Sequence, residues 1–194
     1  MSFTVLPLTP ERMGDLDAVF QARGCSDAKK CYCMYFRLTH SEYRGQESST
    51  LSARNREAML GLAQRELAPG LLGYLDGKPV GWVSLGPRSE FRRLKTSPTM
   101  RTVDDLPVWS IICFVMHGEF RGKGIAHELL AAAIEFARAN GATLLEAYPV
   151  DRSVAGAKSA PWFGSLTMFT SAGFREVARN RPWRPIVRMA LRPE

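Results

Sequence analysis

The sequence predicts a single α/β domain with a mixed, mostly antiparallel sheet. The chain of 194 residues fits one domain better than two, and strand and helix patterns alternate along it. The apolar runs 71–75 and 80–85 are joined by an Asp-Gly step, which is typical of an antiparallel hairpin. Residues 108–150 have the pattern strand, helix, strand, and such a crossover is parallel and right-handed. We therefore expect one parallel pair within an otherwise antiparallel sheet.

The first 70 residues have the pattern of one strand followed by two helices. A strand is predicted over Phe3–Leu8. The first helix follows, with Thr9 as its N-cap, Pro10 at its first position and Gly24 at its end. Residues 25–49 show no regular periodicity. The second helix is predicted over 49–68, with an inner face made of Leu51, Met59, Leu62, Ala63 and Leu67.

The second half of the chain contains the predicted central strand and the longest helix. Residues 86–107 form a basic segment, and 108–116 is a strongly apolar run that contains one polar residue, Ser110, which predicts a strand buried on both faces. A helix is predicted over 124–140, ended by Asn140-Gly141. Its apolar face consists of Ile125, Leu129, Leu130, Ala133, Ile134 and Ala137. The remaining predicted elements are a strand over 143–150, a helix over 163–172 and closing strands over 174–178 and 186–191.

Composition and charge exclude several classes of protein. Apolar residues make up 45% and charged residues 23%, as in a globular protein and unlike a disordered or fibrous chain. The longest apolar run, 111–116, is far shorter than the ~18 residues of a membrane span, and the first residues lack a secretory signal. We therefore expect a cytoplasmic protein with no membrane partner and with four free thiols. The net charge of +7 suits an anionic partner.

Residues 115–126 combine the end of a buried strand, a glycine-rich turn and the start of a helix. Backbone N–H groups of such a turn, together with the positive end of the helix dipole, form a site for phosphate. Gly122 and Gly124 allow a close approach of the backbone, and Arg121 and Lys123 add positive charge. The spacing does not match a Walker loop, and His127 stands where a dinucleotide fingerprint needs glycine.

The pattern Arg-x-x-Gly-x-Ala, formed by Arg121, Gly124 and Ala126, resembles the pyrophosphate loop of the GNAT N-acetyltransferase superfamily. The order of elements from residue 3 to 191 is similar to that of this family, and Met-Phe-Thr-Ser-Ala-Gly-Phe at 168–174 resembles its late helix-to-strand signature. The resemblance implies a GNAT-like domain over 1–194. Its implied parts are acceptor-side helices and loops at 9–70, a CoA-binding core at 71–178 and closing strands at 174–191.

The resemblance also implies an acetyl-CoA-dependent N-acyltransferase, which moves an acetyl group to an amine of a small molecule or protein by direct attack in a ternary complex. Acetyl-CoA would lie where the strand ending near Val115 and the strand 143–150 splay at a bulge. Contacts to its acyl and pantetheine parts are then expected from Cys113, Phe114 and Val115. Contacts to its pyrophosphate are expected from Arg121, Gly122, Lys123, Gly124, Ile125 and Ala126. Many family members are dimers, so the resemblance admits a homodimer.

The chain departs from the family pattern at its usual leaving-group acid. Phe169 stands where many members have Tyr, and Trp162 stands where Asn often precedes it. These departures keep open an alternative function, a non-catalytic CoA-binding sensor or interaction module. Glu146 is a candidate general base, with a buried carboxylate paired to arginine as the alternative. Tyr148, on the same strand face, is a candidate acid, with an aromatic core residue as the alternative.

The remaining sequence features leave the acceptor amine open. Cys25, Cys31, Cys33 and His40 suggest zinc, but the spacing of the cysteines is shorter than in structural zinc sites, so no metal is expected. Tyr32, Met34, Tyr35 and Phe36, around the cysteines, are favoured as the wall of a substrate cavity or the edge of the core. No residue is placed by spacing to activate Cys113 for covalent catalysis. The basic segment 86–107 can be a solvated surface, attract CoA or receive an acidic acceptor. Nucleic acid is not expected, because Phe91 is its only interleaved aromatic residue.

Overall fold

One seven-stranded mixed sheet organises the computed structural model, which describes residues 2–45, 47, 49–157 and 161–191. The strands are β1 (Phe3–Pro7), β2 (Gly70–Leu75), β3 (Lys78–Pro87), β4 (Trp109–Met116), β5 (Leu144–Ala147), β6 (Arg175–Arg181) and β7 (Arg184–Ala190). Their order in the sheet is β1-β2-β3-β4-β5-β7-β6. The β4–β5 pair is parallel and the other described pairs are antiparallel, which confirms the predicted fold class.

Helices cover both faces of this sheet. They are α1 (Met13–Gln21), α2 (Ala28–Cys31), α3 (Met34–Arg37), α4 (His40–Arg44), α5 (Leu51–Ala63), α6 (Ile125–Ala139) and α7 (Leu166–Ser171). The helix α6 packs against β2, β3 and β4 on one face, and α1 packs on the other. All six residues predicted for the inner face of α6 are buried. Among the described residues, no helix has both the length and the apolar character that a membrane span requires.

The β2–β3 hairpin forms as predicted from its Asp-Gly step. Asp76 and Gly77 have φ angles of 47° and 80°, so both central residues of the turn lie in the left-handed region. A turn of this kind matches the right-handed twist of the two strands that it joins. The hairpin places β3 beside β4, where it supports one edge of the central strand.

The first two helices are shorter than predicted. Residues 10–12 form a 3-10 turn, and α1 begins only at Met13. The predicted N-cap does not form, since the Thr9 hydroxyl accepts a hydrogen bond from the Arg12 guanidinium (3.3 Å) and caps no backbone N–H. The helix α5 ends at Ala63, before Pro69. Its buried residues include Asn55, which was not predicted, and whose side-chain amide donates to the Lys30 carbonyl (2.8 Å).

Other boundaries differ in ways that affect the site. Residues 25–49, which lack periodicity, contain the three short helices α2 to α4 within their described part. The strand predicted over 143–150 ends at Ala147, because Pro149 cannot donate to a neighbouring strand. Beyond it, Val150 forms an isolated bridge with Ser165, just before α7. β5 therefore stops pairing with β4 earlier than the predicted strand 143–150 would.

Candidate functional site

The central strands β4 and β5 separate part of the way along the sheet. They pair from Trp109 opposite Leu145 to Ile111 opposite Ala147, where β5 ends. Beyond this point, residues 112–116 of β4 have a strand neighbour on the β3 edge alone. Ile112 is the extra residue of a bulge against β3. The result is a V-shaped opening at which one edge of β4 has no partner strand, and the turn at 161–163 packs beside β4. Alternate backbone groups of this bare strand edge point away from β3 and can bind an extended ligand.

The glycine turn, which we define as residues 121–126, follows directly from the end of β4. The backbone N–H groups of five consecutive residues, 122–126, have no acceptor within the described residues. Gly122 and Gly124 have φ angles of 76° and 80°, and a Cβ added to either would meet no atom within 4 Å. Because α6 begins at Ile125, its positive end faces the same open space. The turn can hold an anion through backbone donors alone.

The two cations of the glycine turn lie differently from what the sequence suggested. The Arg121 guanidinium donates to the Gly24 carbonyl (2.8 Å) and lies 3.6 Å from the Cys25 sulfur. The Lys123 ammonium lies 5.0 Å from the centre of the Phe120 ring. In this arrangement Arg121 tethers the loop after α1 to the glycine turn, and the anion site is made chiefly of backbone N–H groups.

Two cavities meet at β4. The small cavity, of about 290 Å³, is lined by the glycine turn and by Phe114 and Met116. The large cavity, of about 1090 Å³, is lined by Cys113 and Val115, which point to the opposite face of the same strand. Trp162 lines both cavities. An elongated molecule can therefore run from the glycine turn, past the opening between β4 and β5, into the large cavity.

Aromatic and apolar side chains make most of the wall of the large cavity. The aromatic members are Tyr35, Phe36, Tyr43, Trp162 and Phe163. They come from α3, α4 and the turn at 161–163, and the segment 93–100 closes another side. The sequence predicts that Tyr32, Met34, Tyr35 and Phe36 form a cavity wall or the edge of the core. Tyr35 and Phe36 line this cavity, whereas Tyr32 and Met34 are buried in the core. The sequence does not single out Arg93 as a wall residue within the basic segment, and it contains no motif that points to Arg184.

Glu146 and Tyr148, the candidate base and acid, lie in the core and line neither cavity. One oxygen of Glu146 accepts from the Tyr148 hydroxyl (2.5 Å) and the other from Arg188 (2.7 Å). The Tyr148 hydroxyl also lies 3.1 Å from that of Ser110. Burial, and then the Glu146 carboxylate, raise the pKa of Tyr148 well above its usual value. The structure therefore supports the alternatives, a carboxylate paired with arginine and a core tyrosine.

Phe169 also belongs to the core. It is fully buried, and its ring centre lies 6.2 Å from that of Phe114 and 5.1 Å from that of Phe174. Phe114 stands between it and the small cavity, whose lining does not include Phe169. Position 169 therefore supplies packing behind β4 and no proton donor.

The four cysteines are free thiols distributed around the opening. The Cys25 thiol donates to the Met116 carbonyl (3.3 Å), and the Cys33 sulfur accepts from the Trp82 indole (3.3 Å). A hydrogen bond with Cys33, together with burial, raises the pKa of Cys113 well above its usual value, so this thiol stays neutral. Within the described residues, no three His, Cys, Asp or Glu side chains are grouped as a metal site.

The basic segment 86–107 is folded against the domain rather than extended from it. Arg88 donates to the carbonyls of Asp104 (2.6 Å) and Leu106 (3.0 Å), and Arg92 pairs with Glu42 (2.8 Å). Arg93 is buried at the wall of the large cavity. The segment therefore forms a wall of the site, and the hydrogen bonds and ion pairs of Arg88 and Arg92 hold it in place.

Replacing Glu146 with Ala tests its structural role. The change removes the buried acceptor of the Arg188 Nε and of the Tyr148 hydroxyl, while Arg188 keeps the more exposed Asp104, so we expect the free energy of unfolding to fall by roughly 1–3 kcal/mol for each buried donor left without an acceptor. Denaturant titration measures this loss. Glu135→Ala, which removes a solvent-exposed partner of Arg138, is the control and should cost less than about 1 kcal/mol. An equal, small loss for both variants would contradict the assignment.

The chain was also compared with known proteins. A model of the acetyltransferase (GNAT) family matches residues 30–158. No curated protein matches the sequence significantly.

Several solved structures share the fold over nearly their whole length. The PaiA N-acetyltransferase of Thermoplasma acidophilum, in complex with coenzyme A, is 15% identical, with a TM-score of 0.54 over 98% of this chain and 99% of that one. An N-acetyltransferase of Staphylococcus aureus is 17% identical, with a TM-score of 0.55 over 99% and 100%. YncA of Salmonella typhimurium, with its cofactor acetyl-CoA, is 16% identical, with a TM-score of 0.53 over 100% and 96%.

Proposed function

The chain belongs to the acetyltransferase (GNAT) family, and on this premise we propose that it moves an acetyl group from acetyl-CoA to an amine by direct attack in a ternary complex. The observation that carries the proposal is the continuity of three features along β4. These are the glycine turn, the bare strand edge at 112–116 and the large cavity. Together they provide places for a phosphate, for an extended arm and for a second substrate.

The residues of this chain fit acetyl-CoA part by part. The free N–H groups of 122–126 would bind the pyrophosphate, and the bare edge of β4 would pair with the amide groups of the pantetheine arm. Cys113 and Val115 would then flank the acetyl group, at the boundary with the large cavity. Two of the structural relatives, PaiA and YncA, were solved with coenzyme A or acetyl-CoA, which supports this cosubstrate.

Catalysis by this arrangement rests on positioning. Acetyl-CoA supplies an activated thioester, and thiols are far more acidic than alcohols or amines (about 8.5 for the pKa of cysteine), so a thiolate can leave near neutral pH without an acid. The aromatic walls of the large cavity exclude water from one side and orient the amine. Phe169 is in the core, so the help of a general acid, typically worth about 10²–10⁴-fold, is missing from that position.

The core positions of Glu146, Tyr148 and Phe169 favour one second candidate function. With these three side chains unable to transfer protons in either cavity, the chain could bind CoA as a sensor or interaction module without turnover. Both functions share the same site for CoA, so binding alone does not separate them.

Gly124→Val should abolish binding of acetyl-CoA, since the added side chain occupies the space of the pyrophosphate and strains a residue at a φ of 80°. Gly141→Val is a matched control at the other end of α6. Gly141 has a φ of 81° and equally open surroundings, but it lies outside both cavities. We expect similar losses of stability for the two variants, and loss of calorimetric acetyl-CoA binding for Gly124→Val alone. Retained affinity in Gly124→Val would refute the assignment of the turn.

Turnover separates the enzyme from the sensor. The wild-type protein, incubated with acetyl-CoA and a panel of amines, should produce an acetylated amine that mass spectrometry detects, at a rate proportional to protein concentration. Gly124→Val serves as the inactive reference. Binding of acetyl-CoA without a product from any amine would contradict the transferase and favour the sensor.

A further inference from the structure

Two buried arginines at the large cavity lack the partner that the other buried arginines have. Four arginines are buried among the described residues, namely Arg37, Arg93, Arg184 and Arg188. Arg37 pairs with Glu90, and Arg188 pairs with Glu146 and Asp104. Arg93 and Arg184 have no carboxylate partner within the described residues, and both line the large cavity. A buried cation is costly unless an anion compensates it, so their lack of a partner calls for an explanation.

Arg184 uses one of its five N–H donors on the protein. Its Nη1 donates to the Tyr148 carbonyl (3.0 Å), and its guanidinium lies 4.3 Å from the centre of the Phe163 ring. Burial lowers the pKa of Arg184 to about 10, so the side chain remains a cation at neutral pH. Its Nε and Nη2 have no acceptor within the described residues and are not fully buried, and the side chain lines the large cavity. These donors are free to receive a ligand.

Arg93 presents a second guanidinium in the same cavity. Its Nη2 donates to the Thr39 carbonyl (2.9 Å), its Nε lies 3.4 Å from the Leu38 carbonyl, and its guanidinium carbon lies over the Tyr35 ring, 3.9 Å from the ring centre. These contacts hold the group in position and leave Nη1 without an acceptor in the described residues. Asp27 is the sole carboxylate among the residues that line the cavity, and it is exposed.

From these observations we propose that the acceptor is an amine that also carries an anionic oxygen group, a carboxylate or a phosphate, which Arg184 and Arg93 bind in the large cavity. The inference rests on the proposed function of this cavity. A planar guanidinium with free donors can bind such a group through two parallel hydrogen bonds. The surrounding rings of Tyr35, Phe36 and Phe163 fit an apolar or aromatic body on the same molecule.

Binding of an anion that lacks the amine tests this site separately from turnover. The probes are 3-phenylpropionate and phenyl phosphate, titrated by calorimetry into the wild type, Arg184→Gln, Arg93→Gln and Arg184→Lys. We expect the wild type to bind at least one probe, and each Gln variant to bind it at least about ten-fold more weakly. Arg184→Lys keeps the charge without the fork of donors and should lose less. The probe that binds identifies the group as carboxylate or phosphate.

Arg181→Gln is the matched control for these variants. Arg181 lies opposite Arg184 in the β6–β7 hairpin, is exposed and lines neither cavity. Its loss should leave the affinity for the probe unchanged, and thermal unfolding shows whether each variant is folded. Absence of binding by both probes in the folded wild type, or equal affinity in the wild type and folded Arg184→Gln, would overturn the proposal.

Matched amines then test the substrate class in turnover. The pairs are phenylalanine with phenethylamine, leucine with 3-methylbutylamine, and phosphoethanolamine with ethanolamine, and each pair differs by one acidic group. We expect a higher kcat/KM for the acidic member, and a loss of this preference in Arg184→Gln with affinity for acetyl-CoA unchanged. Equal or better acetylation of the neutral members overturns the substrate class alone, whereas failure to bind acetyl-CoA overturns the function itself.

Discussion

Beyond Ile111, β4 continues without the partner that it has at its start, because β5 ends at Ala147. The closed end of this V is fastened by a buried chain of polar contacts. Ser110 of β4 lies within hydrogen-bond distance of Tyr148, which donates to Glu146 of β5, and Glu146 accepts from Arg188 of β7. These bonds fix where the two strands part. The bare strand edge, the approach to the glycine turn and the meeting of the two cavities all follow from that position.

The same polar chain also builds the wall of the large cavity. Arg188 donates to Asp104 as well as to Glu146, and Arg88 binds the backbone around Asp104. The segment 86–107 is thereby drawn back onto the sheet, which brings Arg93 into the cavity wall. The Tyr148 carbonyl accepts a hydrogen bond from Arg184, another residue of the cavity wall. Glu146 and Tyr148, the candidates for proton transfer, thus make contacts that hold wall residues of the large cavity in place.

Features encoded by neighbouring residues could be predicted from the sequence. The Asp76-Gly77 turn, the buried face of α6 and the glycine turn each depend on a local pattern, and the structure has all three. Features set by distant partners could not be predicted in this way. Arg121 is held by Gly24, 97 residues away, and the role of Glu146 depends on Arg188, 42 residues away. Arg184 belongs to no sequence motif. It stands out only in the folded structure, where its buried guanidinium has no carboxylate partner within the described residues.

In the proposed function, acetyl-CoA binds along the bare edge of β4 and in the glycine turn. Amide hydrogen exchange, followed with and without saturating acetyl-CoA, tests this binding directly. The N–H groups of 122–126, and those N–H groups of 112–116 that point away from β3, have no backbone acceptor within the described residues to slow their exchange. We expect slower exchange at 122–126 and at the N–H groups of 112–116 that point away from β3, and unchanged exchange at 109–111, which are already paired with β5. Acetyl-CoA that binds without slowing exchange in either segment would contradict this proposed binding.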